Sequence, residues 1–341
     1  MKSRLLAAIL LLLIGSPAVW AAQAAPPREG DVEFELTDKE PALPEMFRLS
    51  AHTFHFQQKF QWTSSKAIEI SEVTFPSPVE TPQANNNTVH CEYFRPVVAG
   101  KHPAVVVLHI LGGDFDLSRL FCRQLAQNGV AALFLKLPYY GPRRQPDSPV
   151  RMISDDPRAT VAGMRQAVLD IRRGAAWLVG QEEIDRERLG IFGISLGGIT
   201  SALASTAEPR FGRICLMLAG GDMGRIAWES KELRPLRERW LKSGGTQDDL
   251  YSLLKTVDPV TYGERVRGRK ILMFNARHDE VIPWACTDSL WHAFGEPEIV
   301  WFDAGHYTAL RFIFEGMERV TKFFEEETSA HDSKPQNQVT R

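Results

Sequence analysis

Hydrophobic positions along the chain fall into two regimes. Residues 26–66 are mixed and weakly patterned, which predicts an extended segment packed on a domain. From residue 67 the pattern sharpens. Residues 67–75 alternate around Ile68, Ile70 and Val73, and residues 89–94 form a second run beyond a Pro- and Asn-rich loop, predicting an antiparallel start to a sheet. Residues 104–108 are continuously apolar, as a strand buried on both faces requires. The helix expected at 117–126 gathers Leu117, Leu120, Phe121 and Leu125 on one side and stops at Asn128-Gly129. A strand over 130–137 follows. Val161, Met164, Val168, Ile171, Ala175 and Leu178 then recur at intervals of three and four, the spacing of an amphipathic helix. Strands over 189–194, 213–219, 270–274 and 298–302, with helices near 284–294 and 309–324, complete the alternation. The pattern predicts an α/β fold, a doubly wound and mostly parallel sheet with helices on both faces.

One stretch interrupts this rhythm. Residues 221–262 hold no strand but carry Trp228, Leu233, Leu236, Trp240, Leu250, Leu253 and Leu254, which predicts a small helical cap. Loops leaving the carboxyl ends of parallel strands form the binding crevice, so a cap here stands over a site or covers the sheet edge. A chain of 341 residues, 44% hydrophobic, can bury one large core. The expected division is a signal peptide at 1–24, an extension at 25–66, a catalytic domain at 67–325 and a polar, disordered tail at 326–341.

The termini and charges narrow the setting. Lys2 and Arg4 precede an apolar run at 5–14, followed by small residues before Ala22 and Ala25. That is the order of a signal peptide, and the run is far shorter than the roughly twenty residues a membrane span needs. A periplasmic or secreted protein with no retained membrane anchor is expected. Forty basic against 42 acidic residues give no electrostatic case for nucleic acid. The four cysteines, Cys91, Cys122, Cys215 and Cys286, fall in predicted strands and helices and read as buried thiols. Asn86-Asn87-Thr88 matches a glycosylation sequon but reads as a plain loop.

Candidate chemistry centres on residues 191–200, IFGISLGGIT, where Gly193, Ser195 and Gly197 fit Gly-x-Ser-x-Gly between a predicted strand and a helix of small residues. A serine on such a sharp turn needs neighbours without side chains two positions away. It also needs a base, itself oriented. Asp279, in Arg277-His278-Asp279-Glu280, and His306, in Ala304-Gly305-His306-Tyr307, each follow a strand, giving the order Ser, Asp, His. Glu280, Asp303 and His278 are the competitors. For a developing oxyanion the expected donors are the N–H of Leu196 and one from the loop at 109–113, Leu111 or, failing it, Ile110.

Over roughly residues 67–324 the sequence resembles the α/β-hydrolase superfamily. Asp185-Arg186-Glu187-Arg188-Leu189 leading into GISLGG, with HDEVIP and AGHYTAL downstream, looks like the dienelactone hydrolase-like and acetyl xylan esterase-like branches. The resemblance implies nucleophile Ser195, acid Asp279, base His306 and an oxyanion loop at 109–113. Two positions depart: dienelactone hydrolases proper have cysteine where Ser195 stands, and the usual His-Gly is His109-Ile110 here. LPYYGPRR, residues 137–144, is weakly similar to the α/β-hydrolase domain-containing protein 18 family; Tyr139, Tyr140 and Arg143 are pocket candidates there, against a rigid turn with exposed cations. The expected function is an exported serine hydrolase acting on a small or carbohydrate-linked carboxylic ester, with no cofactor and no metal. A peptidase of the prolyl oligopeptidase type lacks support from any long upstream repeat region. A non-catalytic binding protein does not explain why every triad element is present.

Overall fold

A computed structural model describes residues 27–64, 68–113 and 115–327. The signal segment expected at 1–24 lies outside them, as does the tail beyond Glu327. Ten described strands form one sheet: β1 (Arg28–Phe34), β2 (His52–Ser64), β3 (Ile68–Pro76), β4 (Thr88–Pro96), β5 (His102–Leu108), β6 (Ala131–Leu135), β7 (Ile184–Ile194), β8 (Arg213–Met217), β9 (Lys270–Ala276) and β10 (Glu298–Phe302). Their order is β1-β2-β3-β4-β6-β5-β7-β8-β9-β10. Pairs from β1 to β6 along that order are antiparallel, and those from β6 to β10 are parallel.

The sheet begins earlier than the sequence pattern implied, and the described part of the N-terminal segment, residues 27–64, is no appendage. It supplies β1 and β2, whose Val32, Phe34, Phe54 and Phe56 alternate inward while their neighbours face water. The alternation is easily missed because β2 carries a register shift between Phe60 and Trp62. Glu40, between these strands, is buried and accepts from Arg172 Nη1 at 2.9 Å, tying the segment to a helix on the sheet's face.

Helices cover both faces as the alternation requires. On one lie α1 (Asp116–Gln127) and the C-terminal α8 (Ile313–Glu325), which bury Phe121, Leu125, Val320 and Phe324 against the sheet. On the other lie α2 (Pro157–Val179), α3 (Leu196–Ala207) and α7 (Trp284–Ala293). Asp156 caps α2 by accepting the Arg158 N–H at 3.0 Å, with proline at the first helical position. Gly174 lets α2 press onto Leu135, and Trp177 packs edge-on against Tyr93 and Phe56.

The expected cap is present as α4 (Met223–Glu229), α5 (Arg234–Lys242) and α6 (Gln247–Lys255). Its root is clamped by Asp258, whose carboxylate accepts the N–H groups of Asp222 at 3.2 Å and Met223 at 2.7 Å. A capping box between Thr246 and Asp249 starts α6, and the Trp240 indole donates to the Thr246 carbonyl at 2.9 Å.

From β5 the chain crosses to β6 on one side, then returns past β5 to β7 on the other. The loops after β5 and β7 therefore diverge at a topological switch point, where an open parallel sheet leaves a crevice. Residues 109–113 and Ser195 stand there.

Candidate active site

Ser195 joins β7 to α3 with φ 54° and ψ −117°, a backbone conformation costly for a residue with a Cβ and held only by its surroundings. Its N–H donates to the Met217 carbonyl at 2.9 Å. The flanking glycines are sterically obligatory: a Cβ on Gly193 would lie 2.2 Å from the Gly197 carbonyl oxygen, and one on Gly197 would lie 2.6 Å from that of Leu108. The second approach presses the loop after β5 against the start of α3. Leu196, the first residue of α3, has no carbonyl one turn earlier to receive its N–H.

Three distant residues meet at this turn. His306 Nε2 lies 3.0 Å from Ser195 Oγ, and His306 Nδ1 lies 2.8 and 3.0 Å from the two Asp279 oxygens. With Nδ1 donating to the carboxylate, Nε2 is left bare to accept the serine proton. Both side chains are under a tenth exposed. Asp279 Oδ1 also accepts the N–H groups of Val281 at 2.9 Å and Ile282 at 2.7 Å, which fixes the carboxylate independently of the histidine.

The competitors have other partners. Glu280 accepts the backbone N–H of His306 at 2.8 Å. Burial opposes its ionised form, but that bond and the nearby imidazole hold its carboxyl below the ordinary range. His278 and Asp303 pair with each other at 3.0 Å in solvent.

The loop at 109–113 is organised by His109, a role not legible in the sequence. His109 is fully buried, its Nδ1 donates to the Ile110 carbonyl at 2.8 Å, and its Nε2 accepts the Leu137 N–H at 3.1 Å. Burial pushes its pKa down to about 4, so the ring is neutral. Gly112 and Gly113 follow with φ of 92° and 76°.

Two chambers open at Ser195. A cap-side chamber of about 100 Å³ runs beneath α4, α5 and α6, and a second, of about 460 Å³, extends past His306 toward the start of α8. Leu111, Ser195, Glu232 and Val281 line both, while Ile110 lines only the second. Tyr139, Tyr140 and Arg143 line neither, which corrects their reading as pocket residues. Tyr140 packs edge-on to His109, and Tyr139 donates its N–H to Asn86 Oδ1 at 2.9 Å. Arg143 is an internal strut rather than an exposed cation, donating to Asp170 Oδ2 at 2.8 Å and the Asn86 carbonyl at 2.8 Å. Asn86 is itself buried and donates to Gln166, so the sequon offers no accessible acceptor.

A strained serine at a strand-to-helix turn, at the switch point of this sheet, is the arrangement of an α/β hydrolase. More narrowly, the chain belongs to the family described as alpha/beta hydrolase domain containing 18, whose model matches residues 42–222. A prolyl oligopeptidase family model matches residues 164–329, a span holding Ser195, Asp279 and His306. An uncharacterized protein of Mycobacterium tuberculosis is 29% identical over 173 residues, which cover 50% of this chain but only 40% of that protein. A probable 2-oxo-3-(5-oxofuran-2-ylidene)propanoate lactonase of a Bradyrhizobium species is 28% identical over 141 residues, 40% of this chain and 52% of that one. The chain thus spans about half the length, or less, of these relatives. Among solved structures, an acetyl xylan esterase from Paenibacillus sp. R4 superposes with a TM-score of 0.63 at 20% identity, covering 79% of this chain and 88% of its own. At that identity the likeness shows the shared fold.

Proposed function

We propose that the protein is a serine esterase that cleaves carboxylic esters through an acyl-enzyme. The observation that carries the reading is the unbroken file of hydrogen bonds from Asp279 through His306 to Ser195, at 2.8 and 3.0 Å, ending on a hydroxyl that faces two chambers. Ser195 Oγ attacks the ester carbonyl as His306 Nε2 takes its proton, and Asp279 holds the ring in the required tautomer. Negative charge on the carbonyl oxygen is met by the Leu196 N–H and by a loop N–H, that of Leu111 in preference to Ile110. The alcohol leaves with the proton from His306; water then enters, gives a proton to the same nitrogen and releases the acid.

The match to the prolyl oligopeptidase family over residues 164–329 favours a second reading, a peptidase using the same three residues. A panel of p-nitrophenyl esters and peptide anilides separates the two. Ester turnover without anilide cleavage is expected, with Ser195→Ala lowering kcat by about 10³-fold or more. A fluorophosphonate adduct mapped to Ser195 by mass spectrometry would identify the nucleophile directly. Export belongs to the same reading: a mature chain beginning near Ala22 or Ala25, found in the periplasm or medium and measured by intact mass from the native host.

A further inference from the structure

The two chambers meeting at Ser195 differ in size and in which of them reaches the base. His306 lines the larger chamber and not the smaller one. When the tetrahedral intermediate collapses, the bond between the carbonyl carbon and the alcohol oxygen breaks and its electron pair leaves on that oxygen. The proton that His306 took from Ser195 goes to the same atom, yielding a neutral alcohol and acyl-Ser195. The departing oxygen must therefore stand within hydrogen-bond reach of His306 Nε2, which puts the alcohol in the larger chamber. The acyl group is left the smaller, cap-side chamber, with the carbonyl carbon at the waist where Leu111 and Ser195 line both.

Building on the esterase reading, we propose that the substrates are esters of short, unsubstituted acyl groups of about four carbons with bulky apolar alcohols. The cap-side chamber measures about 100 Å³ and its wall is nearly all carbon, with Ile199, Met223, Ile226, Leu236, Trp240 and Leu250 around it. An apolar cavity of roughly 150 Å³ holds the six carbons of a benzene ring, so a chamber of about 100 Å³ takes some three or four carbon groups beyond the carbonyl. The alcohol chamber, at about 460 Å³, is walled mainly by Leu117, Met217, Phe302, Leu310, Phe312 and Ile313, with Glu232 and Tyr307 the polar side chains beside the triad. With so few polar groups such walls hydrogen-bond poorly to a sugar and suit an aromatic or terpenoid-like alcohol.

Two ester series on the purified protein test this, one varying the acyl group from acetyl to dodecanoyl on p-nitrophenol, the other varying the alcohol on butanoate from methanol to 2-naphthylmethanol, alkyl alcohols of similar leaving ability. The kcat/KM values should peak near butanoyl and fall about 10-fold or more by decanoyl, while 2-naphthylmethyl butanoate should exceed methyl butanoate by about 10-fold or more. Ala227→Leu, which intrudes on the cap side, should move the acyl peak toward acetyl and leave the alcohol order alone. Leu310→Asp, on the exposed edge of the other chamber, should reduce the naphthyl preference without moving the acyl peak. If Ala227→Leu altered the alcohol series and Leu310→Asp the acyl series, the orientation would be reversed. Turnover undiminished out to dodecanoyl would overturn the size limit while leaving the esterase reading intact; no turnover of any ester, with Ser195 unlabelled, would remove both.

Discussion

Two adjacent carboxylates, Asp279 and Glu280, sit 27 and 26 residues before His306 and bond to different parts of it, the first to the ring and the second to the backbone. Asp279→Asn should lower kcat by about 10²- to 10⁴-fold, since an amide can select the wrong tautomer of the ring. Glu280→Gln keeps an oxygen for the His306 N–H and should cost less than about 10-fold. Steady-state kinetics on both variants check the assignment, and a larger loss at Glu280 would reverse it. The sequence pointed to the carboxylate pair through chain order and strand ends. Choosing between neighbours depends on how the turn at 279–282 wraps the Asp279 carboxylate with two N–H groups, which no spacing rule encodes. His109 carries a second prediction. Its pKa is about 4 in the folded chain because of burial, below the unfolded value of about 6.5. Above pH 6.5 the ring is neutral in both states and its contribution is fully present. As pH falls toward 4 the unfolded chain takes up a proton that the native ring refuses, so stability drops by roughly 3 kcal/mol at most. The lowered His90 acts in the same direction. Denaturant unfolding at pH 7.5 and 4.5 should therefore show a steeper acid loss for wild type than for His109→Gln.

Among elements, those with a single clean period were legible. The β5, β7 and β9 strands and the α2 helix appear within a few residues of their expected positions, because their cores read as continuous or three-four spaced apolar runs. The first two strands escaped because they bury only alternate residues at a sheet edge and are tied down by charge: Arg172 reaches Glu40, the Phe47 carbonyl and Glu208. The motif at 137–144 was misjudged for a related reason. Sequence cannot distinguish Arg143, fully buried, from Arg144, exposed beside it. Asp170 on α2 is the partner that decides, and Ser77 Oγ donates to it at 2.6 Å. Burial raises the Asp170 carboxyl above its ordinary range, against the pull of Arg143. Asp170→Asn should destabilise the fold by about 3–5 kcal/mol, because it strands a buried guanidinium. A urea midpoint that falls with unchanged m-value is the expected result. A loss under about 1 kcal/mol would mean that the native carboxyl is already neutral.

Across the whole molecule, the sheet distributes what the chain keeps apart in sequence. The switch point between β5 and β7 brings the loop at 109–113 to Ser195, and the parallel order onward delivers the ends of β9 and β10, hence Asp279 and His306, to the same edge. The same layering divides the four cysteines between two cores. Cys91 on β4 and Cys286 on α7 belong to the core on one face of the sheet; Cys122 on α1 and Cys215 on β8 belong to that on the other. Cys91 and Cys286 are far apart along that face, because β6, β5, β7 and β8 stand between β4 and β9 in the sheet. All four are free and buried, and burial raises each thiol, that of Cys286 to about 12, so almost none is thiolate near neutral pH. An exported chain built this way would meet an oxidising compartment with nothing reactive exposed. The native protein at pH 8 should give no fast reaction with Ellman's reagent, and after unfolding in guanidinium it should release four thiols whether purified from the periplasm or from a reducing cytoplasm. Its melting temperature should not respond to dithiothreitol. Fewer than four thiols from exported material would mean that two cysteines pair, against the four free thiols of this fold.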